Sequence, residues 1–507
     1  MGRTKNSVRF LALYLCLVMT NSNVFSQQSQ IGIFEGNTDV GEVKHKGSVS
    51  YHEMDEEYLL EGSGENMWFG RDEFHYLWKS VTGDFILRAD VRFVGKGGDP
   101  YRKMGWIVRN SLGTDSPGVN AAIHGDGLTS LQYRSEKGGD TAELVFELRS
   151  PDVIQLERIG RDFYMSAAKF GEPFTRVHLE GPELNKEVFA GIYVCAHDPN
   201  ALEKAIFSNV RIIKPFDENK QRYQEYLGSN MEILDIESGQ RNVLFSSSHS
   251  LQAPNWTPDG RHLIYNSNGY MYRYDLQEKK VSVLETGFAV RNNNDHVLSF
   301  DGKQLAISHH DPEDNGESAI YTLPAEGSAE PKRITKKGVG PSYLHGWSAD
   351  NKYLVFTGHR NGKYDVYRIS LETGEEVQLT DTPGLDDGPE YSPDGAYIYF
   401  NSNRTGTMQI WRMRPDGSEQ VQLTFDELND WFPHISPDGK WIIFLSFGTD
   451  VDSGDHPFYK QVYLRLMPVG GGEPRILSYV YGGQGTINVP SWSPDSKRVA
   501  FVSNSGQ

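Results

Sequence analysis

Polar and apolar positions alternate with a period of two through much of the chain. Phe85, Leu87, Ala89, Val91 and Phe93 share one face of a predicted strand, and Ile86, Arg88, Asp90 and Arg92 take the other. Residues 153–158 and 162–165 predict two more strands with a Gly160-Arg161 turn between them. Short alternating runs, Gly and Asp turns and no long amphipathic helix predict an all-β chain whose first part is an antiparallel β-sandwich. The pattern breaks near residue 215. Residues 215–230 are polar and charged and read as a linker with room for one helical turn. The expected division is 27–215 for the sandwich, 216–229 for the linker and 230–507 for a second, repetitive part.

That second part repeats a turn six times: Thr257-Pro258-Asp259-Gly260, Ser299-Phe300-Asp301-Gly302, Ser348-Ala349-Asp350-Asn351, Ser392-Pro393-Asp394-Gly395, Ser436-Pro437-Asp438-Gly439 and Ser493-Pro494-Asp495-Ser496. The Asp positions are 42, 49, 44, 44 and 57 residues apart. Six residues after each Asp stands a bulky apolar residue (Tyr265, Ile307, Phe356, Phe400, Phe444, Phe501), and three before it another (Trp256, Leu298, Trp347, Tyr391, Ile435, Trp492). Turn residues at fixed offsets between two apolar strands predict a tight hairpin. A second pair of strands follows each of the first five hairpins, which gives four strands per repeat at the spacing of propeller blades. The sixth hairpin has no such pair, because it lies at the end of the sequence. Residues 231–236, a Gly239 turn and residues 242–245 have the right pattern to supply it. The prediction is a six-bladed β-propeller whose last blade draws on both ends of the domain and leaves no open sheet edge at the seam.

Four stretches occur in order: Gly83-Asp84-Phe85-Ile86-Leu87, Met104-Gly105-Trp106-Ile107-Val108-Arg109, Leu131-Gln132-Tyr133-Arg134 and Gly191-Ile192-Tyr193-Val194-Cys195-Ala196-His197-Asp198. They resemble the concanavalin-A/laminin-G-like sandwiches found beside bacterial carbohydrate-active proteins. That resemblance spans residues 31–215 and implies a fold that hosts many binding modules. The repeats resemble the propeller of TolB, the envelope protein, and the similar propellers of oligogalacturonate lyases. The resemblance implies the architecture and leaves open partner binding or catalysis.

Composition adds the compartment. Arg3, Lys5 and Arg9 precede an apolar run at residues 10–19, and a small residue, Ser26, precedes Gln27. This reads as a secretory signal peptide, residues 1–26. Ten apolar residues are too few to cross a bilayer core of ~30 Å, and Leu15 before Cys16 speaks against a lipid anchor. Cleavage would remove three basic and no acidic residues from a net charge of −18, leaving −21. Such a surface repels phosphate backbones, so nucleic acid is not an expected partner. Cys195 would be the only remaining cysteine, in an apolar run that makes it a buried strand residue rather than a nucleophile.

Strand direction brings six pairs of loops to one mouth of the propeller channel. Segments leading into the first strands supply Asn294, Asp295, His296, Tyr343, His345, Asp386, Asp387, Glu390, Asp430, Trp431 and His434. Return loops supply His309, His310, His359, Arg360, Asn403 and Arg404, and the long loop 448–459 carries Asp450, Asp452, Asp455 and His456. His296 and His345 each stand five residues before their repeat's Asp, and His310 and His359 nine after it. Equivalent slots in neighbouring blades are roughly 10 Å apart. These four histidines, facing Asp387, Glu390 and His434, are the expected ligands of one divalent metal such as Zn, Mn, Fe or Ni. The alternative is that each histidine bonds loop backbone. Trp431 is either a sugar-stacking platform or a lid on the core. Arg360 and Arg404 either hold an acidic ligand or pair with nearby acids. Asp386, Asp387 and Glu390 complete the expected ligand site with His434. No catalytic residue is singled out. In the sandwich, Trp68, Phe69, Tyr76, Trp78 and Trp106 are stacking candidates or core. The expected function is carbohydrate recognition after export, to the periplasm or outside the cell, with the sandwich as accessory. The alternatives are a metal-assisted polysaccharide lyase or glycoside hydrolase acting on acidic sugars, and a TolB-like envelope scaffold that binds proteins.

Overall fold

The structure, a computed structural model, describes residues 31–96, 98–221 and 224–506. The segment read as a signal peptide, with Cys16, lies outside the described residues. The chain is all-β. Among the described residues the single helical element is the 3-10 turn Pro312–Asp314, and no helix is long and apolar enough to cross a membrane.

Alternation in the first part produces two seven-stranded antiparallel sheets. One runs in the order Gly36–Val40, Phe74–Thr82, Glu187–Cys195, Lys103–Arg109, Gly118–His124, Thr129–Arg134, Ala142–Val145. The other runs Thr175–Glu180, Asp162–Ala168, Val153–Ile159, Phe85–Phe93, Glu203–Ile213, Glu57–Gly62, Ser48–His52. Their facing apolar residues, including Trp106, Val108 and Ile192 from the first and Phe85, Leu87, Leu156 and Phe207 from the second, form one core. Trp106 and Tyr76 are fully buried, Trp68 and Trp78 half-buried, and Phe69 exposed. Cys195 is buried and free, its thiol pushed up to about 11 by burial.

The repeats form a six-bladed propeller. Five blades are four-stranded antiparallel sheets, with inner strands Gln252–Trp256, Asn292–Leu298, Ser342–Trp347, Asp386–Tyr391 and Asn429–Ile435. In every turn the motif Asp accepts the hydroxyl of the Thr or Ser two residues before it, Thr257, Ser299, Ser348, Ser392, Ser436 or Ser493. In all six it is followed by a residue at positive φ: Gly260, Gly302, Asn351, Gly395, Gly439 and Ser496. The side chain thus closes the turn on its own backbone, which is why the motif sets the hairpin. The sixth blade is the seam. Gly228–Asp235 lies between Arg241–Ser247 and Arg498–Ser505, in register from Gly228 opposite Ser505 to Asp235 opposite Arg498. The closure expected from the missing strand pair is present.

On the polar side of Phe85–Phe93, Ile86 and Arg88 are buried and Asp90 half-buried, while Arg92 at the far end is exposed and pairs with Glu57. Ile86 packs with Phe216, Leu227, Phe458, Tyr459 and Tyr481. Arg88 donates to the Tyr479 carbonyl and to Gln461, and Asp90 accepts from Asn209. Arg211 and Arg241 both pair with the fully buried Glu232. The two-sided strand is therefore apolar toward its own core and charged toward the propeller.

Candidate functional site

The mouth residues owe their directions to a bulge in every inner strand. Pairing slips between Gln252 and Asn255, Asn292 and His296, Leu344 and Gly346, Asp387 and Glu390, and Trp431 and His434. A bulge leaves residues unpaired and re-aims their side chains. Ala253, Gly388 and Phe432, all at positive φ, are bulge residues at equivalent positions.

Bulge length separates two histidines that share an offset. In blade three His345 is the extra residue, since Leu344 pairs with Phe356 and Gly346 with Val355. In blade two the slip is longer, so His296 returns to register opposite Ile307 and Asp295 is unpaired instead. His296 is fully buried with its Nε2 3.2 Å from the Ile264 carbonyl, its pKa lowered to about 4 by burial. His345 instead reaches Asp387 at 3.2 Å and bonds the Asn488 carbonyl of blade six.

His345 therefore stands between two carboxylates. Burial alone would raise Asp387, yet the bond and charge of His345, with His456 and the Thr357 hydroxyl, hold it at about 2. Burial lowers His345, and Asp387 and Asp295 more than offset it, so the imidazole is raised. Asp295, without such a bond, is raised to about 7 by burial, against the pull of His345 and with the push of Asp387.

The remaining expected site residues are held in pairs or by backbone. His310 contacts the Gly316 carbonyl at 3.1 Å, and His359 packs on the Tyr364 ring at 4.6 Å. Arg360 bonds Glu376, Ser342 and the carbonyls of Gly340, Pro341 and His359. Arg404 bonds Asp386 at 2.8 Å, Ser402 and Gln420. Glu390 takes the Ile435 N–H at 3.0 Å and meets His434 at 2.6 Å; it lines the turn end of the channel and not the mouth, so it does not join Asp386 and Asp387 in one site as expected. Trp431 is fully buried beside Phe432 and His456, so it offers no exposed face for stacking. The structure brings together His345 with Asp387 and Glu390 with His434. It does not bring His296, His310, His345 and His359 to one point. Among the described residues no three His, Cys, Asp or Glu side chains form a group that could hold a metal ion.

Sequence reasoning missed an amide-lined cavity of ≈ 410 Å³ beside this cluster. Gln252, Asn266, Asn268, Asn292, Asn293, Asn294 and Gln484 line it, with His310, Arg291, Tyr226 and Phe458 among the other residues around it. Asn294 Nδ2, Asn292 Oδ1 and Gln484 Oε1 have no hydrogen-bond partner in the chain. The run Asn292-Asn293-Asn294 was the available signal, but amides carry no charge pattern to mark them.

Comparison with known proteins follows the fold. Residues 340–453 match the family described as TolB beta propeller domain, PD40. The uncharacterized protein Atu1656 of Agrobacterium fabrum is 45% identical over 275 residues, 54% of this chain and 92% of that protein. A solved structure from Agrobacterium tumefaciens, provisionally assigned as TolB, is 43% identical, covers 55% of this chain and 99% of its own, and superimposes with a TM-score of 0.52. TolB from Acinetobacter baumannii is 19% identical over 51% of this chain and 64% of its own, with a TM-score of 0.40. The chain belongs to the family of TolB-like β-propeller proteins.

Proposed function

We propose that this chain is an exported protein-interaction scaffold of the cell envelope, with its main site at the propeller mouth. The single observation that carries the reading is the amide-lined cavity, whose Asn and Gln side chains bring both donors and acceptors to one wall, as the alternating N–H and C=O groups of a polypeptide backbone require. The propeller-long likeness to the TolB-type structure supports it. Carbohydrate recognition has less behind it, because Trp431 is buried and Arg360 and Arg404 are engaged within the chain. We take the paired seven-stranded sheets as a concanavalin-A-like accessory domain, with residues 216–229 as the connection. The test is photo-crosslinking from His456, on the mouth loop, and from Val283, exposed on an outer strand. The expected result is one saturable protein adduct in envelope extract from position 456 and none from 283. Competition of that adduct by acidic oligosaccharides, or equal labelling at both positions, would sink the reading.

A further inference from the structure

The opposite end of the channel, where the six turns lie, holds a cavity of ≈ 240 Å³ that the mouth does not use. All six blades line it, since it collects the apolar residues three positions before each turn Asp. Four of these are aromatic: Trp256, Trp347, Tyr391 and Trp492. Phe300 stands at its lip, 41% exposed. The one carboxylate in the lining is Glu390, and no Lys, Arg or His lines it.

We propose that this turn-face cavity is an aromatic cage for a basic side chain of a protein partner, with the acidic end of the Glu390–His434 pair in its wall. The orientation of the Glu390–His434 pair carries the sign. His434 Nε2 faces the Ile487 carbonyl, which can only accept, so Nε2 holds a proton. The Nδ1–Oε2 contact of 2.6 Å needs a second proton between the two groups. The pair is therefore neutral overall, and its acidic end, not its imidazole, lines the cavity. A hydrocarbon side chain filling the space would bury that carboxyl edge against apolar groups, and an anion would be repelled. An ammonium or guanidinium gains both the carboxylate and the ring faces, and such contacts strengthen when desolvated. One of these rings already receives a cation: the Arg498 guanidinium lies 5.3 Å from the Trp256 ring centre. Indole edges are fixed too. Trp347 Nε1 donates to the Val297 carbonyl at 2.8 Å and Trp492 Nε1 to that of His434 at 2.9 Å, so the cage is built before any ligand arrives.

The inference rests on the protein-interaction reading only for the source of the cation. The experiment titrates the full chain, by tryptophan fluorescence, with Ac-Gly-Lys-Gly-NH2, its norleucine analogue and choline. The lysine peptide should bind at least about tenfold tighter than norleucine. Glu390→Gln, which keeps the acceptor from the Ile435 N–H, should remove most of that difference with the melting temperature recorded alongside. Should that variant fail to fold, Phe300→Ala at the exposed lip should still weaken lysine binding by roughly threefold. Equal binding of lysine and norleucine peptides overturns the cage, and choline binding tighter than the lysine peptide overturns the assignment to a protein partner. Loss of the crosslink at position 456 with lysine binding intact removes the mouth reading alone.

Discussion

Arg211, on the last strand of the N-terminal sheets, meets Glu232, on the closing strand of the propeller, at 2.8 Å, and the Glu232 side chain is fully buried. Arg241 binds the same carboxylate at 2.7 Å, and Ser503 donates to it from the C-terminal strand. One carboxylate thus ties one of the N-terminal sheets to both ends of the propeller.

Glu232→Gln should cost about 3–5 kcal/mol at neutral pH, because it leaves a buried arginine without its charge partner. Burial would raise Glu232, but Arg241 and Arg211 hold it at about 2. A depressed carboxylate stabilises the fold above its unfolded value, and that contribution fades as pH falls toward 2. Urea melts at pH 7 and pH 3 should show the gap between wild type and variant shrinking in acid. A gap independent of pH would refute the charge account.

Proteolysis should cut first between Phe216 and Leu227, whose own backbone N–H groups are anchored to Tyr481 and Tyr459 while the residues described between them are mostly exposed. The two fragments should nevertheless co-elute on gel filtration, because the buried contacts of Arg88, Arg211 and Arg241 lie outside the cut. Separate elution without denaturant would contradict the interface.

Asp295→Asn should stabilise the protein more at pH 8 than at pH 5. Asp295 is raised to about 7, so the stability of its protonated form is lost as pH rises through that value. Asn mimics the protonated state, and the gain at pH 8 should be on the order of 1–3 kcal/mol. Thermal melts across pH 5–8 measure it, and a constant shift would show that Asp295 does not titrate there.

Truncation before Pro490 removes the Arg498–Ser505 strand to which Gly228–Asp235 is paired along its whole length. The propeller should lose its cooperative transition, read by circular dichroism on heating. An unchanged transition would mean that the ring does not depend on its seam.

The sequence by itself determined the elements and their count. Period-two alternation specifies strands locally, and the Ser-Pro-Asp-Gly motif makes its turn with its own side chain, so the six blades and the split last blade were legible without any distant contact. Tertiary structure decided which way the functional side chains point. His296 and His345 occupy identical offsets, yet bulges of different length send one to the Ile264 carbonyl and the other to Asp387. Pairing register depends on the neighbouring strand and blade, and no local pattern encodes it. Arg88 and Asp90 likewise alternate as solvent-facing residues should, and only the docking of two domains makes their face an interface. Trp431 and Arg404 follow the same rule: burial and partner choice are properties of the space around a residue, which forms only when strands distant in sequence pack together.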